Sequence, residues 1–392
     1  MDDQIGIQAT QYIISLFENS KSQSERALDS LPGVYAVIDR TGLILKGNKS
    51  LAQIFNVDFE ELLNLNLRKL FSPQEWEKFE RYFPNSEGKS TDFKSVIRLD
   101  DGKLRDYLWY SEELEIGHSL KAPQLFAITG HDVTELTRVT QENSRMQFEL
   151  GTAKLVQNTF YPTSKANFGS STISGYSESA SECGGDWWHY SLKKDKLYLW
   201  IGDVTGHGVT AALVVSAVHA VVSTMEFDSL SPKEILGVLN QAVGSMAGDQ
   251  RPMTFLVASI DLKSGSCVYA SAGHEPMIYF PGEKNKFDMK DLSILQGNPS
   301  VPLGVRKTFE YEEHSLQLKK GDRLLFYTDG SYDIANRGGD NWNRSKFHRV
   351  LARQASASKR AEELTEGLHG AIEEFRKGAP LRDDVTFFSF EL

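Results

Sequence analysis

The chain reads Gly202-Asp203-Val204-Thr205-Gly206-His207-Gly208 directly after the apolar segment 196–201. That segment has the pattern of a buried strand, and the Ala- and Val-rich run 209–225 that follows has the pattern of a buried helix. Glycines permit tight turns, so the junction between the two can present the Asp203 carboxylate in a cleft. We therefore predict that Asp203 lies at a functional site on a domain of mixed α and β structure.

Three further acidic positions in the C-terminal half lie at the ends of predicted strands. They are Asp186 after Gly184-Gly185, Asp329 after the strand pattern 323–328, and the pair Asp383-Asp384 before the strand pattern 385–390. Taken alone, an aspartate beside a glycine is more often a turn than a ligand. Together these residues gather the oxygen ligands that Mg²⁺ and Mn²⁺ prefer, and two such ions can activate a water for displacement at phosphorus. The pattern therefore indicates a divalent metal centre.

The order of these motifs resembles that of the PPM phosphatases, in particular their bacterial SpoIIE-type branch. The matching blocks are Gly184-Gly185-Asp186, the segment 202–208, Ala272-Gly273-His274-Glu275-Pro276, Pro302-Leu303-Gly304-Val305, Tyr327-Thr328-Asp329-Gly330 and Asp383-Asp384-Val385-Thr386. The segment from Glu149 to Pro162 is also similar to the helix that leads into the family's catalytic domain. The resemblance implies an α+β fold whose C-terminal part is an αββα sandwich, with two mainly antiparallel sheets between helices.

The resemblance also implies a role for each matching residue. Asp203 and the backbone carbonyl of Val204 would bind the first of two ions, Mn²⁺ or Mg²⁺. Asp203 would also contact the second ion, whose other ligands would be Asp186, Asp329 and Asp383. At the position of Asp384 the family often has a residue that is not a metal ligand. A water between the ions would hydrolyse phosphoserine or phosphothreonine without a phospho-enzyme.

His207 has two interpretations. Its pKa suits a general acid for the leaving oxygen, and a structural histidine of the turn fits the pattern equally well. His274 is more readily explained as a packing or hydrogen-bonding residue, and Cys183 as a buried thiol. The family's eukaryotic members bind phosphate with an arginine near the start of the domain, whereas no arginine occurs between 146 and 250 in this chain. This leaves the metal ions as the predicted phosphate ligands.

Residues 25–135 have the pattern of a separate domain, after a short helical pattern at 1–24. The order of its motifs resembles a PAS domain: Val37-Ile38-Asp39 before Gly42, Asn48 ahead of the first helix, and the ending Gly130-His131-Asp132-Val133-Thr134-Glu135. The resemblance implies an α/β sensor domain. Because 1–135 contains no cysteine, flavin–cysteine photochemistry is excluded. No motif identifies the ligand of this domain.

A heptad pattern connects the two domains. Its seam positions alternate in steps of three and four: Leu136, Val139, Asn143, Met146, Leu150, Ala153, Gln157 and Phe160. This spacing predicts a left-handed coiled coil and a parallel homodimer through 136–160, in which Asn143 fixes the register. The alternative is a single amphipathic helix lying on one of the domains. Because Pro162 disfavours helical geometry at the preceding residue, we expect the linker to span 136–162 and the catalytic domain 163–392.

The segments between the metal motifs carry weaker patterns. Ser231-Pro232 predicts the start of a helix over 228–250, since proline suits the first helical turn. The spacing over 356–377 predicts one amphipathic helix. Residues 281–300 and 334–345 have the composition of loops, and loops near a metal site often select the substrate.

Composition limits the classes of protein and the compartments that fit this chain. The 392 residues carry a formal net charge of −10, which argues against a nucleic-acid-binding protein. Only two cysteines occur, Cys183 and Cys267, so a disulfide scaffold is excluded and a reducing compartment is favoured. Neither a signal pattern nor a run of about 18 apolar residues is present, and we expect a cytoplasmic protein without a membrane span.

These patterns lead to a hypothesis for function. The C-terminal domain is expected to be a protein serine/threonine phosphatase that the PAS-like domain regulates through the linker. Its expected substrate is a phosphorylated regulatory protein, by analogy with the branch a STAS-type anti-sigma-factor antagonist. Two alternatives stay open: a signalling scaffold that has lost turnover, and a nucleotide or phosphodiester hydrolase with the same metal chemistry. The presence of all four metal aspartates argues against the scaffold.

Overall fold

The computed structural model describes residues 23–63, 65–81, 91–99, 102–114, 124–206, 208–247, 251–295 and 297–392. The chain forms two compact units, residues 1–145 and 146–392. His207 and most of the helical pattern predicted for 1–24 lie outside the described residues. Within the described ranges, no helix is long and apolar enough to cross a membrane.

The first unit is built on one five-stranded antiparallel sheet. Its strands are β1 (Val34–Asp39), β2 (Ile44–Gly47), β3 (Thr91–Arg98), β4 (Leu104–Leu114) and β5 (Leu125–Asp132), in the spatial order β2-β1-β5-β4-β3. Helices α1 (Lys49–Phe55) and α2 (Pro73–Arg81) lie between β2 and β3 in the chain. This arrangement resembles the PAS-type fold, as the order of the motifs predicted.

Asn48 explains why α1 begins where it does. Its Oδ1 accepts a hydrogen bond from Leu51 N at 3.2 Å, which satisfies an N–H group of the first helical turn. Its Nδ2 donates to Gly33 O at 2.9 Å and so ties the helix to the chain ahead of β1. A cluster of large apolar side chains fills the core of this unit, including Phe71, Trp76, Phe79, Phe93 and Trp109.

Helix α3 (Thr134–Asn158) contains the predicted linker. Its seam residues Leu136 and Met146 are 66% and 61% exposed. The structure differs from the heptad prediction at the end of the seam. Gln157 is buried and Phe160 packs against a hydrophobic cluster of the second unit, so neither is available to a second helix. A coiled coil through this linker must therefore end before Gln157.

Among its described residues, the second unit has two large antiparallel sheets. The first has the order β14-β11-β10-β9-β8 and comprises β8 (Asp186–Lys193), β9 (Lys196–Val204), β10 (Met253–Asp261), β11 (Ser266–Ala272) and β14 (Glu313–Gln317). The second has the order β13-β12-β15-β18-β7-β6 and comprises β6 (Lys165–Phe168), β7 (Ser171–Glu178), β12 (Met277–Phe280), β13 (Ser293–Leu295), β15 (Arg323–Tyr327) and β18 (Val385–Glu391). A small hairpin pairs β16 (Ile334–Ala335) with β17 (Asn341–Trp342).

Four helices cover the two sheets and complete the predicted αββα sandwich. They are α4 (Val209–Thr224), α5 (Pro232–Ala247), α6 (Arg344–Ala357) and α7 (Ala361–Arg376). The first two pack on the first sheet in a cluster that includes Val214, and the last two pack on the second sheet around Phe347. A third cluster, which includes Leu256, lies between the sheets. Each fully buried Leu or Phe contributes about 1.5–3 kcal/mol, so this packing fixes the strand ends that carry the aspartates.

Candidate metal centre

The predicted aspartates converge at one end of the sandwich, with contributions from both sheets. Asp186 opens β8 and is the cross-strand partner of Asp203 near the end of β9. In the second sheet, β15 and β18 are hydrogen-bonded neighbours. Asp329 therefore follows one of two adjacent strands, while Asp383 and Asp384 precede the other. The structure thus brings together the five acidic residues that the sequence analysis singled out.

Hydrogen bonds join the sheets at this end. The Thr328 hydroxyl, next to Asp329, donates to Asp186 Oδ2 at 2.7 Å. The backbone N–H of Gly185 donates to Asp384 Oδ2 at 2.5 Å. These bonds fix the separation of the two sheets at the point where the carboxylates meet.

The carboxylates lie at different depths in this cleft. Asp186 is 2% exposed, Asp203 and Asp383 are partly exposed, and Asp329 is exposed. The set therefore runs from the floor of the cleft at Asp186 to its rim at Asp329. An arrangement of this kind can hold a cation on protein oxygens from below and leave solvent or substrate to approach from above.

The electrostatics of the cleft favour divalent cations. Burial raises the pKa of Asp203 to about 8, and the negative charges of Asp329, Asp383 and Asp384 act in the same direction. The pKa of Asp186 also lies well above its usual value, because the side chain is buried and faces Asp203 and Asp384. Cations bound to these oxygens would relieve both the repulsion and the loss of hydration. The residues present therefore fit Mn²⁺ or Mg²⁺, which prefer oxygen ligands.

Asp384 differs from the other carboxylates in its hydrogen bonds. Its Oδ1 accepts from Ala180 N at 2.7 Å and its Oδ2 from Gly185 N, so both oxygens are used to hold the loop ahead of Asp186. Its own backbone N–H donates to Asp383 Oδ1 at 2.9 Å. This favours Asp383 as the ligand of the pair and Asp384 as the residue that shapes the loop.

Across the described ranges, no three His, Cys, Asp or Glu side chains lie in a group that could hold a metal ion. The Asp186 carboxylate accepts its hydrogen bond from the Thr328 hydroxyl.

His274 is a structural residue, in agreement with the preferred interpretation of its motif. The side chain is buried, and its Nδ1 lies 2.8 Å from the Thr254 hydroxyl on β10. Burial lowers the pKa of His274 to about 3, so the ring is neutral at pH 7. A neutral buried ring holds β10 and the loop after β11 together and does not act as a general acid at neutral pH.

Sequence reasoning missed two residues next to the centre. Gln157 contacts Gly184 with both polar atoms of its side chain. Arg251 Nη1 donates to Thr205 O at 2.9 Å and so lies against the signature turn. Residues 146–250 contain no arginine, and Arg251 is the next residue. Only the pairing of β9 with β10 shows that Arg251 lies opposite the turn.

Residues 193–392 match the family model for Stage II sporulation protein E (SpoIIE). These 200 residues (392 − 193 + 1) are just over half of the 392 in the chain. The chain belongs to the SpoIIE family. The resemblance inferred from the motifs is thereby confirmed, and the SpoIIE-family region contains Asp203, Asp329 and Asp383 but begins after Asp186.

Two proteins of Bacillus subtilis (strain 168) are similar to this SpoIIE-family chain. Phosphoserine phosphatase RsbU is 25% identical over 250 residues, which cover 64% of this chain and 71% of RsbU. Phosphoserine phosphatase RsbP is 28% identical over 166 residues, which cover 41% of this chain and 40% of RsbP. The chain therefore spans most of RsbU and less than half of RsbP.

The solved SiaA-PP2C domain of Pseudomonas aeruginosa has the same fold. It superimposes with a TM-score of 0.53 at 22% sequence identity, covering 64% of this chain and 98% of that domain. At this identity the likeness concerns the fold alone. Taken together, the two comparisons show that the second unit has the fold of the SiaA-PP2C domain and that its residues 193–392 belong to the SpoIIE family.

Proposed function

We propose that this protein is a metal-dependent protein serine/threonine phosphatase of bacterial signalling, which hydrolyses phosphoserine or phosphothreonine on a regulatory protein. The observation that carries this proposal is the group of aspartates from both sheets, whose like charges call for divalent cations. RsbU and RsbP, both named as phosphoserine phosphatases, support the same chemistry.

The proposal gives each site residue a role. Asp203 and the Val204 carbonyl would hold one ion, and Asp186, Asp203, Asp329 and Asp383 would hold the second. Bound Mn²⁺ or Mg²⁺ supplies Lewis-acid stabilisation of the phosphoryl oxygens and a nucleophilic water near neutral pH. The chain itself orients these ligands, through Thr328 on Asp186 and through Asp384 on the preceding loop. His207 is the candidate general acid for the leaving oxygen.

The proposed substrate is a phosphoserine on a small regulatory protein, with a STAS-type anti-sigma-factor antagonist as the first choice. The similarity to RsbU supports a phosphoserine substrate. The exposed position of Asp329 supports access by a residue on the surface of another protein.

We also propose that the PAS-like domain at 25–135 controls the phosphatase through helix α3, in a parallel homodimer. The exposed seam residues Leu136, Val139 and Met146 support pairing with a second copy, because a surface of this kind is otherwise left in water. A change in the pairing of the two helices would then be transmitted along α3 to the phosphatase unit.

The test of the phosphatase is hydrolysis of p-nitrophenyl phosphate by the full chain with and without Mn²⁺. Asp203→Asn should abolish turnover. The matched control is Asp195→Asn, the same substitution at the hairpin turn that joins β8 to β9, far from Asp203 along the strand. Turnover that needs Mn²⁺, is lost in Asp203→Asn and is kept in Asp195→Asn would support the proposal. Metal-independent turnover, or equal activity of both variants, would reject it.

The alternative is a signalling scaffold without turnover, and the presence of Asp186, Asp203, Asp329 and Asp383 argues against it. If the full chain binds Mn²⁺ but hydrolyses neither p-nitrophenyl phosphate nor a phosphoserine peptide, the scaffold becomes the better description. Cleavage of a cyclic dinucleotide in place of the phosphopeptide would instead indicate a phosphodiester hydrolase.

A further inference from the structure

Gln157 in the last turn of α3 makes an unusual contact for a residue of a linker helix. Its side chain is 4% exposed. Nε2 donates to Gly184 O at 2.7 Å, and Oε1 accepts from Gly184 N at 3.1 Å. The side-chain amide thus pairs with both polar groups of one backbone residue. Because all these groups are buried, losing the pair leaves polar atoms without hydrogen-bond partners, and this destabilises the arrangement.

Gly184 belongs to the loop that carries Asp186, and that loop has contacts on several sides. Gly185 N donates to Asp384 Oδ2, and Gly185 O accepts from Val204 N at 3.2 Å. Those two bonds come from the site itself. The bonds from Gln157 come from the helix that arrives from the N-terminal half of the chain.

The loop has little space in which to move independently of these contacts. A Cβ on Gly184 would lie 2.6 Å from Ser179 Oγ, and a Cβ on Gly185 would lie 2.8 Å from Gly206 O. At Gly185 the nearest atoms belong to the backbone and cannot rotate away, so close packing requires glycine there. In such a loop, a shift at Gly184 is passed on to Asp186 two residues later, because the intervening backbone has no free volume to absorb it.

Two further hydrogen bonds connect the residues directly after α3 to the start of β8. The Tyr161 hydroxyl donates to Asp186 O at 2.6 Å, and Trp187 Nε1 donates to Phe160 O at 3.0 Å. Residues 157–161 therefore hold the chain around Asp186 at three positions. Gln157 binds Gly184, Tyr161 binds the Asp186 carbonyl, and Phe160 binds the Trp187 side chain.

We propose that Gln157 is a positioning residue for the metal centre: it sets the position of Asp186 from the end of helix α3, and so makes metal affinity depend on where that helix ends. The inference rests on the proposed metal-dependent phosphatase and specifies how that site is regulated. Gln157 touches no reacting atom, so its effect should fall on metal binding rather than on the rate at saturating metal.

The test uses Gln157→Met in the full chain, which keeps the length of the side chain and removes both hydrogen bonds. The matched control is Gln147→Met, the same substitution at an exposed position of the same helix. Free Mn²⁺ is measured by electron paramagnetic resonance, and hydrolysis of p-nitrophenyl phosphate is measured as Mn²⁺ is increased. We expect Gln157→Met to weaken Mn²⁺ binding about tenfold or more, as loss of outer-shell partners does, with a near-normal rate at saturating Mn²⁺. Gln147→Met should bind Mn²⁺ like the wild type.

An unchanged Mn²⁺ affinity in folded Gln157→Met would overturn the inference, even if its melting temperature fell. If Gln157→Met does not fold, Tyr161→Phe removes one bond to Asp186 while keeping the ring, and its unchanged Mn²⁺ affinity would overturn the inference equally. A wild type that binds Mn²⁺ without hydrolysis would refute the phosphatase alone, since the affinity comparison would still decide the role of Gln157. A wild type that binds no Mn²⁺ would refute both.

Discussion

Gly330 shows how closely single residues are packed around the proposed centre. A Cβ at this position would overlap the backbone carbonyl oxygen of Asp384. Because a backbone atom cannot rotate away, Gly330→Ala should push Asp329 away from the start of β18. We expect the free energy of unfolding to fall by about 1–3 kcal/mol, as for other overpacked sites, and Mn²⁺ binding to weaken. Urea denaturation and Mn²⁺ titration of the same samples would measure both effects.

Gly370 provides the matched control for Gly330. It lies within α7, and a Cβ there would have no atom within 4 Å other than its own helix. Gly370→Ala should therefore raise the free energy of unfolding by about 0.5–1 kcal/mol through helix propensity, with no effect on metal. Equal stability and equal Mn²⁺ affinity in the two variants would show that the backbone at Asp329 moves freely.

His274 should make the protein sensitive to mild acid. Its folded-state pKa of about 3 lies below the ordinary value of 6.5, so the unfolded chain takes up a proton that the folded chain refuses. The contribution of neutral His274 is complete above pH 6.5 and is lost as pH falls toward 3. Between pH 6.5 and 5.5, before most carboxylates titrate, this amounts to about 1 kcal/mol.

Urea denaturation of the wild type and of His274→Gln at pH 7.5, 6.5 and 5.5 would test this pH dependence. Glutamine keeps hydrogen-bonding capacity toward Thr254 and does not titrate. The variant should therefore lose less stability than the wild type over this range, whatever its stability at pH 7.5. Parallel curves for the two proteins would mean that the pKa of His274 in the folded state lies near its ordinary value.

At the scale of elements, helix α3 should mediate dimerisation through its seam. Met146→Glu places a charge at a seam position in each of two paired helices. We expect the dimer dissociation constant to rise about 100-fold, equivalent to ~3 kcal/mol. Analytical ultracentrifugation of the full chain over a concentration series would measure it.

Phe148→Glu is the control for the seam. Phe148 is 77% exposed on the same helix but lies two residues beyond Met146, outside the heptad seam. Removal of this exposed apolar residue should leave the dissociation constant unchanged. A wild type that is monomeric throughout, or equal weakening by both substitutions, would favour the alternative in which α3 acts as a single helix.

The sequence predicted best the elements whose structure is determined by residues that are neighbours in the chain. The aspartates at strand ends, the Gly-rich turn at 202–208 and helix α3 each have a periodicity or a turn signal within a few residues. The interactions of Gln157 have no such signal. Its spacing fits a coiled-coil seam, and only the folded structure shows that Gly184, 27 residues later, competes for the same side chain.

Two segments differ from their predicted structure for the same reason. The pattern over 356–377 predicts one helix, whereas the structure ends α6 at Ala357 and begins α7 at Ala361. At the break, the buried Arg323 donates to Ser358 O and Ser358 Oγ, both at 3.0 Å, from a strand 35 residues away. Likewise, 334–345 has the composition of a loop but contains the β16–β17 hairpin, where Trp342 is buried against the second sheet's helices. Periodicity cannot report contacts that distant parts of the chain supply.

At the scale of the whole molecule, the starting point of the catalytic domain has energetic consequences. The motif pattern predicts a domain over 163–392, directly after Pro162. The bonds that Gln157, Phe160 and Tyr161 make to residues 184–187 favour an earlier start. Four hydrogen bonds contribute about 1 kcal/mol each. The partly buried rings of Phe160 and Tyr161 add to this, so that the total approaches the 5–15 kcal/mol by which a typical domain is stable.

We therefore expect the fragment 146–392 to fold and to bind Mn²⁺ like the full chain, and the fragment 163–392 to be destabilised and to bind Mn²⁺ weakly. Thermal melting of both fragments, followed by circular dichroism, measures the loss of folded structure. Mn²⁺ titration of both fragments measures the loss of Mn²⁺ affinity. If 163–392 matches 146–392 in melting temperature and Mn²⁺ affinity, the end of α3 is not part of the catalytic domain. The positioning role of Gln157 would then fail as well, because a contact that can be deleted without effect cannot set the position of Asp186.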